Sequence, residues 1–257
     1  LILSGDQLYN IDLIEMVNFA RQKRADLVIA SLPVEEKEAK RMGLLKINKE
    51  HKIIDFVEKP QDPKVLKKLA FQEDLYLGSM GIYVFRKEAL IALLKEEGND
   101  FGKDLIPLKI KEGGCYSYLH DGYWEDIGTI ESYYAANLAL TKEKSSFDMY
   151  NLWDHLPNEE LPSPLIEDTQ VDSSIISPGC VIEADEISHS LIGSKAHIGK
   201  NSVIKDSIII GNPTRDQKEN PSIGHSCVIE KTIIDEGAHI GNNVTLDKEQ
   251  QIGRAHV

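Results

Sequence analysis

Apolar and polar positions along the chain follow two rhythms. Up to about residue 146, short apolar runs alternate with stretches of helical spacing, whereas beyond residue 190 aliphatic residues recur about every six positions. Leu1-Ile2-Leu3 runs into Ser4-Gly5-Asp6, which predicts a buried strand carrying Asp6 at its carboxyl edge. Residues 11–24 have the period of an amphipathic helix, and 26–31 predict the next buried strand. The runs 43–47 and 53–60, joined by Asn48, Lys49, Glu50 and His51, predict a short hairpin. Residues 76–85 predict a strand, and 87–95 and 129–142 predict helices. Strands separated by helices of this length imply a mostly parallel sheet covered on both faces.

The stretch 147–164 carries Pro157, Pro162 and Pro164 and breaks this alternation, which places a domain boundary there. Beyond it Ile192, Ile198, Ile204 and Ile210 keep a six-residue beat. After a polar excursion over 212–221, the beat resumes through Ile223, Ile229, Ile234, Ile240 and Leu246. Gly193, Gly199, Gly224 and Gly241 follow four of these residues. Such hexads predict a parallel β-helix, each hexad forming one short side of a triangular coil. A β-sandwich would instead show period-two alternation over longer runs.

The 257 residues suffice for one large or two ordinary domains, and 41% hydrophobic content can supply a proper core. A net charge of −13 disfavours a generic nucleic-acid binder. Cys115, Cys180 and Cys227 are widely spaced and odd in number, suggesting neither a disulfide framework nor a zinc site and favouring a reducing cytoplasm. No apolar run approaches the ~20 residues of a membrane span. A chain whose first residue already lies in a predicted core strand is expected to be part of a longer polypeptide. The closing Ile252-Gly253-Arg254-Ala255-His256-Val257 is also what a common sequencing-adapter sequence would encode, so the natural carboxyl terminus is expected elsewhere.

Four places carry candidate chemistry, each with a plainer alternative. Asp6 is either a carboxylate at a ligand-binding sheet edge or a helix cap. Glu58 and Lys59, before Pro60, suit sugar hydroxyls and a phosphate, or form a solvated pair; they point to opposite faces unless the strand ends there. Gly78 and Gly81 interrupt a strand, either for close ligand approach or as a bulge. Asp126, after Tyr123-Trp124-Glu125, is a second carboxylate or the cap of the next helix.

Taken in order, LSGDQLYNID, FVEKP, SMGIYVF, Asp100-Phe101-Gly102-Lys103-Asp104 and GYWEDIGTIESYYAANLAL, followed by isoleucine-rich hexads, closely resemble the ADP-glucose pyrophosphorylase (glucose-1-phosphate adenylyltransferase) family. The resemblance runs from Leu1 to about Leu246, and YWEDIGT is the form of plant, cyanobacterial and some other bacterial members. It implies an α/β fold: a Rossmann-like nucleotidyltransferase domain over 1–146, truncated at its amino terminus, a linker over 147–169, and a left-handed parallel β-helix over 170–257. The implied reaction makes ADP-glucose and pyrophosphate from ATP and glucose 1-phosphate for glycogen or starch synthesis. Asp6 and Asp126 match the aspartates that hold Mg²⁺, and Lys59 the lysine that grips the sugar phosphate. Glu58 and Ser79 match residues on the sugar, and Gly43 the glycine whose backbone lies against it. Asp6, Lys59 and Asp126 are thereby the expected catalytic residues.

The resemblance further implies a sugar-phosphate allosteric effector, a homotetramer or heterotetramer at full length, and a cytoplasmic or plastid location, with no nucleic-acid or membrane partner. The family's Gly-rich amino-terminal loop is not in this sequence, so the chain by itself is expected to be inactive. Gln7 stands where a His is usual. Glu236 follows Ile233-Ile234-Asp235 where plant and cyanobacterial relatives carry an activator-binding lysine, which disfavours 3-phosphoglycerate activation through that position. Other readings are a non-catalytic regulatory subunit, a UDP- or dTDP-sugar pyrophosphorylase, and a hexapeptide-repeat acyltransferase using His197, His225 or His239.

Overall fold

The computed structural model describes residues 1–142, 147, 161–212 and 222–247. They form two compact units, Leu1–Trp124 and Glu125–Val257. The second unit takes in the helix after Trp124, so the division falls earlier in the chain than the proline-rich stretch. Most of that stretch, the excursion over 213–221 and residues 248–257 lie outside the described residues.

In the first unit a mixed sheet has the order β4-β3-β6-β2-β7, built from β2 (Leu27–Glu35), β3 (Gly43–Ile47), β4 (Ile53–Glu58), β6 (Leu75–Phe85) and β7 (Cys115–Leu119). The short β5 (Ala70–Gln72) pairs with β6. Of these contacts only β2 with β7 is parallel; β2 with β6, β3 with β6 and β3 with β4 are antiparallel. The expectation of a mostly parallel sheet is thus corrected. A parallel crossover needs a dozen or more connecting residues. Here β2 and β3 are joined through the short α2 (Glu36–Ala39), β3 and β4 by a hairpin, and β5 turns straight into β6.

The central β2 alternates its side chains between two cores. Val28 and Ala30 pack with Met16 and Ala20 of α1 (Leu13–Lys23) and with Met80 and Ile82. Leu27 and Ile29 face Leu45, Phe56, Leu77 and Ile106 of α5 (Ile106–Glu112). Both faces are therefore covered, as period-two alternation inside an α/β layer requires. A third cluster holds Leu66 and Leu69 of α3 (Pro63–Leu69) with Leu44 and Tyr76. Helix α1 starts where Asp12 accepts the Ile14 and Glu15 N–H groups, both at 2.9 Å, and stops at Arg24 in the left-handed region (φ 50°). Helix α4 is Lys87–Leu93.

Residues 1–4 do not form the buried strand expected of them. The Ile2 N–H donates to the Tyr83 carbonyl (2.8 Å), the Tyr83 N–H returns to Ile2 (2.9 Å), and Ser4 donates to Gly81 (3.2 Å). This is a single antiparallel bridge on β6, and Leu1 and Leu3 remain 56% and 42% exposed. The run has a bridge to β6 and its middle residue Ile2 is half-buried, so apolar sequence alone does not bury all of it. The first assigned strand is β1 (Gln7–Tyr9).

In the second unit β8 (Trp124–Asp126), whose first residue belongs to the first unit, leads into α6 (Ile130–Ala139), capped by Thr129 and Ser132. From Leu165 on, short strands stack into three parallel sheets: β10-β13-β16-β18-β20, β11-β14-β17-β19 and β15-β12-β9. These are β9 (Leu165–Ile166), β10 (Gln170–Asp172), β11 (Ile175–Ile176), β12 (Val181–Ile182), β13 (Glu186–Ser188), β14 (Leu191–Ile192), β15 (His197–Ile198), β16 (Val203–Lys205), β17 (Ile208–Ile209), β18 (Val228–Glu230), β19 (Ile233–Ile234) and β20 (Thr245–Leu246). The register pairs Gln170 with Glu186 and Glu186 with Val203, then Val203 with Val228, a coil lengthened by the excursion, and Val228 with Thr245. The Tyr134 hydroxyl of α6 donates to the Asp206 carbonyl at 2.5 Å.

The hexad reading locates this core with one correction. Ile192, Ile198, Ile204, Ile223, Ile229, Ile234 and Leu246 are buried together, Ile240 packs against them, but Ile210 is 36% exposed and Ile209 is buried instead. The beat shortens by one residue at the corner after β13, β16 and β18. There His189, Asp206 and Lys231 take left-handed φ of 46°, 45° and 51°, turning the chain within fewer residues.

The same corner is stitched by hydroxyls. Ser174, Ser190, Ser207 and Thr232 each donate to the carbonyl two residues back, at 2.6–2.8 Å. Each of the first three accepts the N–H of the hydroxyl residue one coil further on, at 3.1, 3.0 and 3.2 Å. Ser190 and Ser207 are fully buried, so the ladder supplies partners to backbone groups that water does not reach. All three cysteines are buried and free, as their spacing suggests, and burial pushes the Cys115 thiol up to about 12.

Candidate active site

Strand β4 ends at Glu58, and Lys59 adopts φ 45° while its N–H donates to the Met42 carbonyl at 3.1 Å. A left-handed residue before a proline is strained by about 1–3 kcal/mol, which the surrounding structure must hold. The turn resolves the question of faces: Lys59 Nζ comes within 3.9 Å of Glu58 Oε1, its side chain being 60% exposed. Both functional groups therefore reach the same side of the sheet edge.

Glu58 is half-buried, and two glycines lie against its carboxylate. A Cβ built on Gly43 would fall 2.7 Å from Glu58 Oε2 and 2.5 Å from Phe56 Cζ, and one built on Gly102 would fall 2.7 Å from the same oxygen. Gly102 belongs to a single π-helical turn, Phe101–Leu105, capped by Asp100, whose carboxylate accepts the Lys103 N–H at 2.8 Å. Burial raises the Glu58 pKa; the Lys59 charge opposes this, Asp100 adds to it and Lys103 opposes it. The Asp100 carboxyl is held down first by the Lys103 N–H, against a smaller effect of burial. Two carboxylates and two ammonium groups thus share one electrostatic neighbourhood, and the sequence reading did not assign roles to Asp100, Gly102 or Lys103.

Strand β6 supplies the next groups. Ser79 Oγ accepts the Gly81 N–H at 3.3 Å, and Gly81 sits at φ 69° where the β2–β6 register slips. This is the bulge of the two alternatives, and it aims Ser79 and Tyr83. Burial raises the Tyr83 hydroxyl pKa, its hydrogen bond with Ser79 lowers it, and the Glu58 and Asp100 charges raise it further. The Tyr83 ring stacks on Phe101 at 6.3 Å. Gly78 has a different reason: a Cβ there would lie 2.8 Å from Met42 Cε, so it serves packing.

Asp6 follows the bridge onto β6 and is exposed. It caps no helix, since α1 is capped by Asp12; its Oδ1 accepts the Ser4 hydroxyl at 2.7 Å. Gln7 lies against Gly81, where a Cβ would meet its Nε2 at 3.0 Å, and Gln7 Oε1 is buried without a hydrogen bond. Asp126, in the second unit, closes β8, and its Oδ1 accepts the Gly128 N–H at 2.9 Å, while Thr129 caps α6. Among the described residues neither Asp6 nor Asp126 has a salt bridge to Lys or Arg, and both are exposed. Among the described residues no three His, Cys, Asp or Glu side chains converge as a metal site. Uncompensated carboxylates nevertheless have the hard oxygen donors that suit Mg²⁺.

Two of the coil histidines have partners within the coil. His197 Nε2 is 3.2 Å from Glu183 Oε2, and His225 Nδ1 accepts the Lys200 N–H at 2.9 Å. No helix among the described residues is long and apolar enough to cross a membrane. In comparisons with known families, residues 1–143 match the Nucleotidyl transferase family and residues 159–257 match the GLGC left-handed parallel beta-helix domain.

Proposed function

The chain belongs to the glucose-1-phosphate adenylyltransferase family, a nucleotidyl transferase domain followed by a left-handed β-helix, and from that premise we propose that its site takes glucose 1-phosphate and ATP and serves the formation of ADP-glucose and pyrophosphate. The observation that carries the reading is the grouping of Glu58 and Gly43, paired across β4 and β3, with Lys59 beside Glu58 and with Ser79 and Tyr83 of the neighbouring β6. A carboxylate acceptor, two hydroxyls and an exposed ammonium suit a sugar phosphate, whose sugar and phosphate halves need both kinds of group.

The phosphate oxygen of glucose 1-phosphate is already anionic, so attack on the α-phosphorus of ATP needs no general base. What the protein supplies is alignment and charge compensation. Lys59 neutralises the sugar phosphate, Glu58 and Ser79 fix the sugar, and Gly43 lets it approach the backbone. Asp6 and Asp126 would hold Mg²⁺, which when bound neutralises the crowded phosphate charge. For the acyltransferase alternative, His197 and His225 each have one ring nitrogen engaged within the coil, and the family matches favour the nucleotidyl transferase reading. The β-helix would serve subunit contact and regulation by a sugar phosphate, with Glu236 disfavouring a lysine-mediated activator contact.

The test uses a polypeptide carrying the family's amino-terminal loop, with pyrophosphate release measured against ATP, UTP and dTTP in turn. Release with ATP and glucose 1-phosphate is expected. Release only with UTP or dTTP would reassign the nucleotide, and none with any would make the chain a non-catalytic subunit. Asp6→Asn is expected to lower kcat by orders of magnitude with little change in sugar affinity; near-normal turnover would remove Asp6 from the site.

A further inference from the structure

We infer that Gly102 is a positioning residue for Glu58: with Gly43 it forms a slot that holds the carboxylate in one place, where adjacent hydroxyls of a sugar phosphate can share it. The inference rests on the sugar-phosphate reading for its ligand, but the slot is a property of this chain.

Neither Gly43 nor Gly102 has a positive φ, so backbone conformation asks for glycine at neither position. Gly102 lies inside a helical turn, where glycine costs about 1 kcal/mol relative to alanine. What explains it is contact. A Cβ at Gly102 would stand 2.7 Å from Glu58 Oε2 and 2.9 Å from Cδ. A Cβ at Gly43 would meet the same Oε2 as well as the Phe56 ring, so two glycine backbones close on one carboxylate oxygen.

The turn that carries Gly102 is itself anchored. Asp100 caps it, and the Phe101 ring packs on Tyr83 at 6.3 Å and on Phe85 at 6.1 Å. Alanine at 102 therefore finds a fixed backbone behind it and a flexible side-chain end in front. The carboxylate has to swing outward into solvent while the fold stays. A binding group needs its acceptor held within about 0.5 Å, so the displacement reaches the ligand.

The experiment follows the Glu58 carboxyl carbon by NMR through a pH titration, in this chain and in Gly102→Ala, and measures glucose 1-phosphate binding calorimetrically for both, for Glu58→Gln and for the double variant. In Gly102→Ala the Glu58 midpoint is expected to fall toward the ordinary glutamate value, with thermal stability equal or higher. A midpoint at or above that of the unsubstituted chain would overturn the slot, whatever happens to ligand binding. Binding is expected to weaken tenfold or more in Gly102→Ala, and the double variant to bind no more weakly than Glu58→Gln, because Gly102 acts through Glu58. Undiminished binding by Gly102→Ala, or additive losses in the double variant, would also overturn it. If the unsubstituted chain fails to bind glucose 1-phosphate, the sugar-phosphate reading falls, and the titration still decides the slot.

Discussion

Burial makes Glu58 costly to the fold, and the proposed function makes it useful to the site; its titration separates the two effects. Burial raises its pKa above the ordinary 4.5, so the folded protein holds that proton more tightly than the unfolded chain. The sign follows: stability associated with Glu58 is complete below the unfolded value and is lost as pH rises from there through the folded value. Glu58→Gln removes the ionisable group, and is expected to raise Tm at pH 7 by roughly 1–3 °C. The advantage should shrink as pH falls below the ordinary glutamate range, and a gain that is the same at pH 7 and pH 4 would contradict the raised pKa. Such a trade of stability for function is common at sites that bind ligands. From sequence, Glu58 and Lys59 could be picked out but not oriented, because the orientation depends on one left-handed residue. Gly102 stood in a recognisable motif but without a role, since its reason is a contact with a residue far away along the chain.

Elements show why the hexad pattern was nearly sufficient. Isoleucines every five or six residues find the coil interior because each coil repeats the same three walls, so burial follows spacing directly. Ile210 fails because one corner is shorter than the other two, and it is corner geometry, not hydrophobicity, that sets this. The hydroxyl ladder at that corner was legible as residues but not as a network. Ser207→Ala takes the hydroxyl partner from the Thr232 N–H, while the Lys205 carbonyl keeps the Lys231 N–H. It should destabilise the second unit by about 1–3 kcal/mol, visible as a lower denaturation midpoint; an unchanged midpoint would mean the ladder contributes nothing net. The π-helical turn had no sequence signature, since a register of hydrogen bonds differing by one residue leaves hydrophobic spacing almost unaltered.

For the whole molecule, the two rhythms of the chain do correspond to two architectures, and both family matches follow them in order. Strand direction was the part misjudged: length and periodicity locate strands, but hairpins and short connectors decide which way each one runs. Charge is the property that acts at this scale. With 42 acidic and 29 basic side chains, the net charge of −13 opposes non-specific association. Near the pI of about 5.1 that opposition vanishes, and light scattering should show self-association rising as pH is lowered from 8 toward 5. Constant scattering across that range would show that charge does not govern its solubility.

The enlarged coil between Val203 and Val228 has a consequence for how the β-helix measures distance. Val203 and Val228 face each other in register, as do Glu186 and Val203 with far fewer residues between them. Neighbours in this domain are therefore counted in turns of the coil and not in residues. Chain can be added or removed at that one corner while every rung keeps its address, so the corner is where the domain can acquire new surface without rebuilding its interior.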